Sequence, residues 1–172
     1  ADIAWIQLLQ YVGGWILPGE QEVSRYLLLK DMTLRVTRID PYFRQVYLYS
    51  AGMLAFFRNI DRPDEALEVL GEGIRTNPQF WPLRVTVAAI GFMRGEEFEP
   101  MVRLLEDVIA HPDCPPVTKS ILANAYKAHH RDADARRIWE LILGDPNAGM
   151  YHDKARREIV EIDTRQLLTP KI

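Results

Sequence analysis

Five side chains could bind a transition metal or act as nucleophiles: His111, Cys114, His129, His130 and His152. Zinc takes imidazole and thiolate ligands, and four of them must lie about 2 Å from one ion. The spacing opposes that. His111 and Cys114 precede a stretch that reads as a helix over 116–129, and His129 and His130 sit at its far end. At about 1.5 Å per residue, that helix holds the two pairs roughly 20 Å apart. No metal site and no cofactor is expected. Cys114 lies in Asp-Cys-Pro-Pro with His111 nearby. A reactive thiolate needs a cation or a helix N-terminus to lower its pKa, and neither is evident here. Glu96, Glu97 and Glu99 resemble paired carboxylates on paper. They stand at the start of a helix, where the dipole favours acids, and that accounts for them. Gly-x-Ser-x-Gly, His-Glu-x-x-His and a phosphate-cradling glycine loop are all absent. The chain reads as a non-enzyme.

Charge points away from nucleic acid. Lys and Arg total 21 and Asp and Glu total 24, a net charge of −3. Residues 1–114 carry 11 basic and 16 acidic side chains, and residues 115–172 carry 10 and 8. No field of one sign steers such a chain onto phosphates. Lys154, Arg156 and Arg157 alternate with acids on one helix and read as a solvated face. The single cysteine rules out an internal disulfide. With 172 residues, 48% of them hydrophobic, the chain has the size and composition of one folded domain or a run of small repeats. No window of 18 apolar residues exists, so no membrane-spanning helix is expected. The nearest approach, Ala1 to Ile16, reads as a first buried helix. Its Trp5, Tyr11 and Trp15 would also suit a membrane interface.

The elements that position these residues follow from repetition. Pro78, Pro112 and Pro146 are each 34 residues apart. Three further columns keep the same register: Glu72, Glu106 and Glu140; Leu70, Leu104 and Ile138; Ile74, Val108 and Ile142. Pro41 stands 37 residues before Pro78, a copy with a longer loop. Apolar residues recur at three and four, as in Leu29, Met32, Val36 and Ile39, in Leu67, Leu70 and Ile74, and in Ile138, Leu141 and Ile142. Strand patterns are nearly absent. The pattern predicts helices over 2–15, 20–38, 42–58, 62–76, 80–93, 97–110, 116–129, 132–143 and 150–163. Gly13-Gly14, Gly95 and Gly144 read as helix breaks. Asp40, Asn77 and Asp145 precede prolines and are expected as N-caps, and Asp61 marks another helix start. The tail 164–172 shows no pattern and is expected to fray.

These residues resemble the tetratricopeptide repeat (TPR), a 34-residue helix pair. Leu122-Ala123, Tyr126, Ala135, Trp139 and Ile142 fall at the family's motif positions, and Pro146 arrives one residue early. Tyr47, Ala51, Leu54, Ala66, Leu70, Gly73 and Pro78 correspond in an earlier copy, with Tyr47 in place of tryptophan. Between them, Arg84 and Pro100 depart from the motif. The resemblance covers about 42–146. It implies an all-α, right-handed solenoid of about four pairs over 2–41, 42–78, 79–112 and 113–146, with a capping helix at 150–163. The motif's chemistry is packing: small residues (Ala51, Gly52, Ala66, Ala123, Ala135) let helices approach, and large ones (Tyr47, Leu70, Tyr126, Trp139) fill the gaps. In the cap, Ile159 and Ile162 offer an inner face, and Lys154, Arg156, Arg157, Glu158 and Glu161 a wet one. The chain also resembles bacterial cell-envelope TPR proteins, in which an Asp-x-x-Trp helix like Asp2 to Trp5 follows a membrane anchor. That implies an envelope location, periplasm side rather than cytoplasm, and membrane proximity through an upstream anchor.

In the TPR family the first helix of each pair lines a concave groove. Carried over, this gives Gln45, Leu48, Gly52, Ala55 and Phe56; then Val85, Ala89, Phe92 and Met93; then Val117, Ser120, Asn124 and Lys127. The family's carboxylate clamp is not reproduced, since only Asn124 and Lys127 are of that kind. The expected function is non-catalytic binding of an extended or helical segment of a partner protein in that groove. The competing expectation is a subunit permanently assembled in a multiprotein or membrane-associated complex through its ends and convex face.

Overall fold

The computed structural model describes residues 1–14, 26–58, 60–95 and 98–168. Trp15, Glu96, Glu97 and the tail after Leu168 lie outside them. The described residues are all-α. The helices are α1 Asp2–Gly13, α2 Leu29–Ile39, α3 Arg44–Phe56, α4 Pro63–Thr76, α5 Pro82–Arg94, α6 Phe98–Ile109, α7 Pro116–Ala128, α8 Asp132–Leu143 and α9 Gly149–Leu168. A 3-10 turn, Pro146–Ala148, precedes α9. The helices pack mostly as sequential pairs, and the chain divides into two compact units at Met101 and Val102.

In the first unit α1 packs on α2, α2 on α3, α3 on α4 and α4 on α5. Its core holds Leu8, Val12, Leu29, Val36, Tyr47, Ala51, Leu54, Ala66, Leu70 and Leu83, all buried. Thr33 of α2 and Ser50 of α3, both buried, share a hydrogen bond of 2.6 Å. In the second unit α7 packs on α8 and α8 on α9. Leu122, Ala123, Tyr126, Ala135, Ile138, Trp139, Ile142, Ala155 and Ile162 are buried there. Every large residue assigned a gap-filling role is buried, and every alanine assigned a close-approach role is too. Gly52 differs: a Cβ there would meet nothing within 4 Å. Gly73 is a glycine that close packing requires, because a Cβ would lie 2.8 Å from the Tyr47 ring.

Helix ends follow local chemistry. Pro63, Pro82 and Pro116 each open a helix, where the missing N–H has no role. Gly95 ends α5 at φ 67, the left-handed conformation that suits glycine. Two expected N-caps are corrected. The Asp40 carboxylate accepts from the Tyr42 N–H, in a turn that ends before α3 begins. Asn77 turns back instead: its amide donates to Pro41 O at 3.0 Å and Gly73 O at 3.3 Å, tying the end of α4 to the turn before α3. Asp61, read as marking a helix start, has a φ of 45 and stands two residues before α4, which begins at Pro63 with Arg62 at its cap position. Asp145 does cap, accepting from the Asn147 N–H at the 3-10 turn, and Lys119 holds its carboxyl below the usual range.

Two helices differ from the sequence reading. Of the helix expected over 20–38, residues 20–25 lie outside the described residues, and Tyr26 to Leu28 precede α2, which begins at Leu29. Arg62 donates to Tyr26 O at 2.9 Å, and the Leu28 N–H donates to the Tyr11 hydroxyl at 3.2 Å. Tertiary bonds take the groups that another helical turn would use. At the other end α9 continues five residues past 163. Arg165 reaches Asp132 at 3.2 Å and Glu161 at 2.9 Å, and Arg136 reaches Asp163 at 2.8 Å. Those ion pairs fasten a segment that lacks an apolar period. Lys154 and Glu158 also leave the solvated face expected of them: Lys154 reaches Ser120 and Glu158 holds Lys127. Ile39 and Leu141, read as members of apolar stripes, are exposed. Trp5 is turned inward, edge-on to Phe43 at 5.6 Å and Tyr49 at 5.2 Å.

Candidate partner-binding surface

Helices α3 and α5 lie against each other, so the groove residues of the first unit share one neighbourhood. Ala55 is buried, while Leu48, Gly52, Val85, Ala89 and Phe92 are half-buried. Gln45 is exposed. The two large apolar residues at the C-terminal ends of these helices stand out in water, Phe56 at 43% and Met93 at 65% exposure. They meet around a hollow of about 110 Å³. Ala55 and Ile90 line it as well, with Pro63 at the start of α4 and Asp61 and Arg94 as its charged members. Phe92 is not in that lining.

The groove residues of α7 belong to the second unit. Val117 and Asn124 are exposed, Ser120 is buried and Lys127 is half-buried. The Lys127 ammonium lies 2.7 Å from Glu158 and 2.9 Å from Glu161 of α9. Those two carboxylates raise its pKa, so the cation is stabilised by its own chain. Ser120 accepts from Lys154 at 3.4 Å. A partner carboxylate would therefore have to displace an internal one from Lys127, whereas Asn124 is open to solvent.

Beneath this surface, Tyr126 is buried and its hydroxyl donates to Glu106. Burial first, and then the carboxylate, push the phenol well above its ordinary 10.0. The folded state thus disfavours tyrosinate. This contribution to stability is complete below about pH 10 and is lost as pH rises from there toward the folded-state pKa. Urea midpoints should fall more steeply above pH 10 in the parent than in Tyr126→Phe. Parallel curves would show that Tyr126 does not couple to folding. Cys114 is buried too, and burial pushes its thiol up, so it stands as a neutral thiol rather than a nucleophile at pH 7. Among the described residues, no three His, Cys, Asp or Glu side chains gather as a metal site. No described helix is long and apolar enough to cross a membrane.

The hollow's charged rim was not legible as a site. Asp61 reads in sequence as a helix-start residue, and its left-handed φ, which brings it to the rim, has no signature there. Arg94 reads only as the last residue before a helix-ending glycine. No family model matches the chain, and no curated protein matches it.

Proposed function

We propose that the chain is a non-catalytic interaction scaffold: a TPR-like, right-handed solenoid of about four helix pairs with a capping helix, holding a segment of a partner protein along its first-helix face. The observation that carries this reading is the convergence of Phe56 and Met93, exposed and apolar, around one hollow between α3 and α5. Binding energy concentrates in a few apolar anchors of this kind, and helices or extended segments are the natural occupants of such a face. Phe92→Glu provides the test. The variant should melt close to the parent and lose proteins that the parent retains in affinity capture read by mass spectrometry. A folded variant that keeps every partner overturns the reading.

A second reading has its own support. The outward faces of the first and last helices carry Ile3, Ile6 and Leu9 on α1 and Val160, Leu167 and Leu168 on α9, all exposed. These suit a subunit that assembles permanently through its terminal helices. Under that reading Ile3→Glu with Ile6→Glu removes the captured partners, and Phe92→Glu does not.

A further inference from the structure

The hollow between α3 and α5 has a size, a lining and a charge that together select an occupant. A cavity of about 150 Å³ takes up benzene, so one of about 110 Å³ accommodates a single apolar side chain of leucine, isoleucine or methionine size. Its floor and walls are Ala55, Phe56, Pro63, Ile90 and Met93. Filling it covers exposed surface of Phe56 and Met93, which is favourable in proportion to the apolar area removed from water.

The rim is not neutral. Of its two charged members, Arg94 is held by Asp64 at 2.5 Å. The Asp61 carboxylate has no hydrogen bond or ion pair among the described residues. Asp61 is also exposed and held at a φ of 45, a conformation that non-glycine residues adopt rarely. The uncompensated charge beside the apolar hollow is therefore negative.

We propose that this hollow is the anchor subsite of the partner-binding face. It takes one leucine, isoleucine or methionine side chain from a partner segment that carries a lysine or arginine next to it, and the cation pairs with Asp61. The proposal rests on the scaffold reading above and makes it specific for a basic-aliphatic segment.

The test uses the full chain with its methionine methyl groups labelled for NMR, so that Met93 reports on the hollow and Met32 of α2, in the same unit but outside the lining, serves as a control. The probes are three acetylated, amidated peptides: Ser-Gly-Lys-Leu-Gly-Ser, Ser-Gly-Glu-Leu-Gly-Ser and Ser-Gly-Lys-Ala-Gly-Ser. The Lys-Leu peptide should shift the Met93 methyl saturably and leave Met32 unmoved. The Lys-Ala peptide should bind at least about ten-fold more weakly, the loss expected for an emptied aliphatic subsite. The Glu-Leu peptide should bind roughly five-fold more weakly, as suits an exposed charge contact. Asp61→Asn should equalise Lys-Leu and Glu-Leu while keeping the preference for leucine over alanine. Asparagine tolerates the left-handed backbone, so this variant keeps the fold. A Met93 methyl that ignores all three peptides overturns the proposal, as does an equal affinity for Lys-Leu and Glu-Leu in the parent. If Phe92→Glu still loses its captured partners in that case, the anchor subsite falls and the scaffold reading stands.

Discussion

Replacing Trp139 with alanine should lower stability by about 3–5 kcal/mol, the range for emptying a buried aromatic site. Trp139 is fully buried in α8, among the small and large residues that join α7, α8 and α9. Its indole N–H has no hydrogen-bond partner among the described residues. The cost is therefore one of packing, plus the weak attraction of the Lys154 ammonium, 5.3 Å from the ring centroid. Trp139→Phe should recover part of the loss, since it keeps an apolar ring and drops the unpartnered N–H but leaves a smaller cavity. Ala135→Leu should err in the other direction. Ala135 is fully buried on the same helix, and overpacking there should cost about 1–3 kcal/mol. Urea denaturation reads all three. Trp139→Ala and Ala135→Leu variants that unfold with the parent would contradict the helix register over 116–143.

Tyr47 makes the same demand on the first unit. Tyr47→Ala should cost about 3–5 kcal/mol, since the ring is buried between α3 and α4. Tyr47→Phe removes only the hydroxyl, which donates to Pro41 O at 3.1 Å, and should cost about 1 kcal/mol. Gly73 faces that ring. Glycine to alanine within a helix ordinarily gains about 1 kcal/mol. Here the new Cβ would lie 2.8 Å from the Tyr47 ring and 3.0 Å from a Leu83 methyl, so the sign should reverse and Gly73→Ala should destabilise by about 1–3 kcal/mol. In the Tyr47→Ala background that penalty should shrink, because the ring is gone and only the Leu83 methyl still crowds the new Cβ. Additive losses in the double variant, read from urea midpoints, would show that the two residues do not meet.

Much of the architecture was legible because the packing is local and periodic. Pro78, Pro112 and Pro146, 34 residues apart, all fall between successive α-helices, and the motif register placed Tyr47, Leu70, Tyr126 and Trp139 inside. What could not be read depends on residues far apart in sequence. The start of α2 is set by Arg62 reaching Tyr26 O, 36 positions away, and the last turn of α9 by Arg165 reaching Asp132, 33 positions away. No apolar pattern records either. The candidate surface divides in the same way. Phe56 and Met93 were found because they sit at corresponding ends of first helices. Asp61 was not, because a backbone twist in the turn before α4 brings it to the hollow. Lys127 read as an open groove cation, and Glu158 and Glu161 of α9 hold it.

The central claim is that partners are held by the face that α3 and α5 present. Met93 tests it most directly. It is 65% exposed, so Met93→Glu places a charge in water rather than in the core and should leave the melting temperature within a few degrees of the parent's. The measurement is affinity capture of the parent and this variant side by side, with bound proteins quantified by mass spectrometry. The account predicts that the variant stays folded and loses the proteins that the parent retains. A folded Met93→Glu variant that captures the same proteins in the same amounts would contradict it.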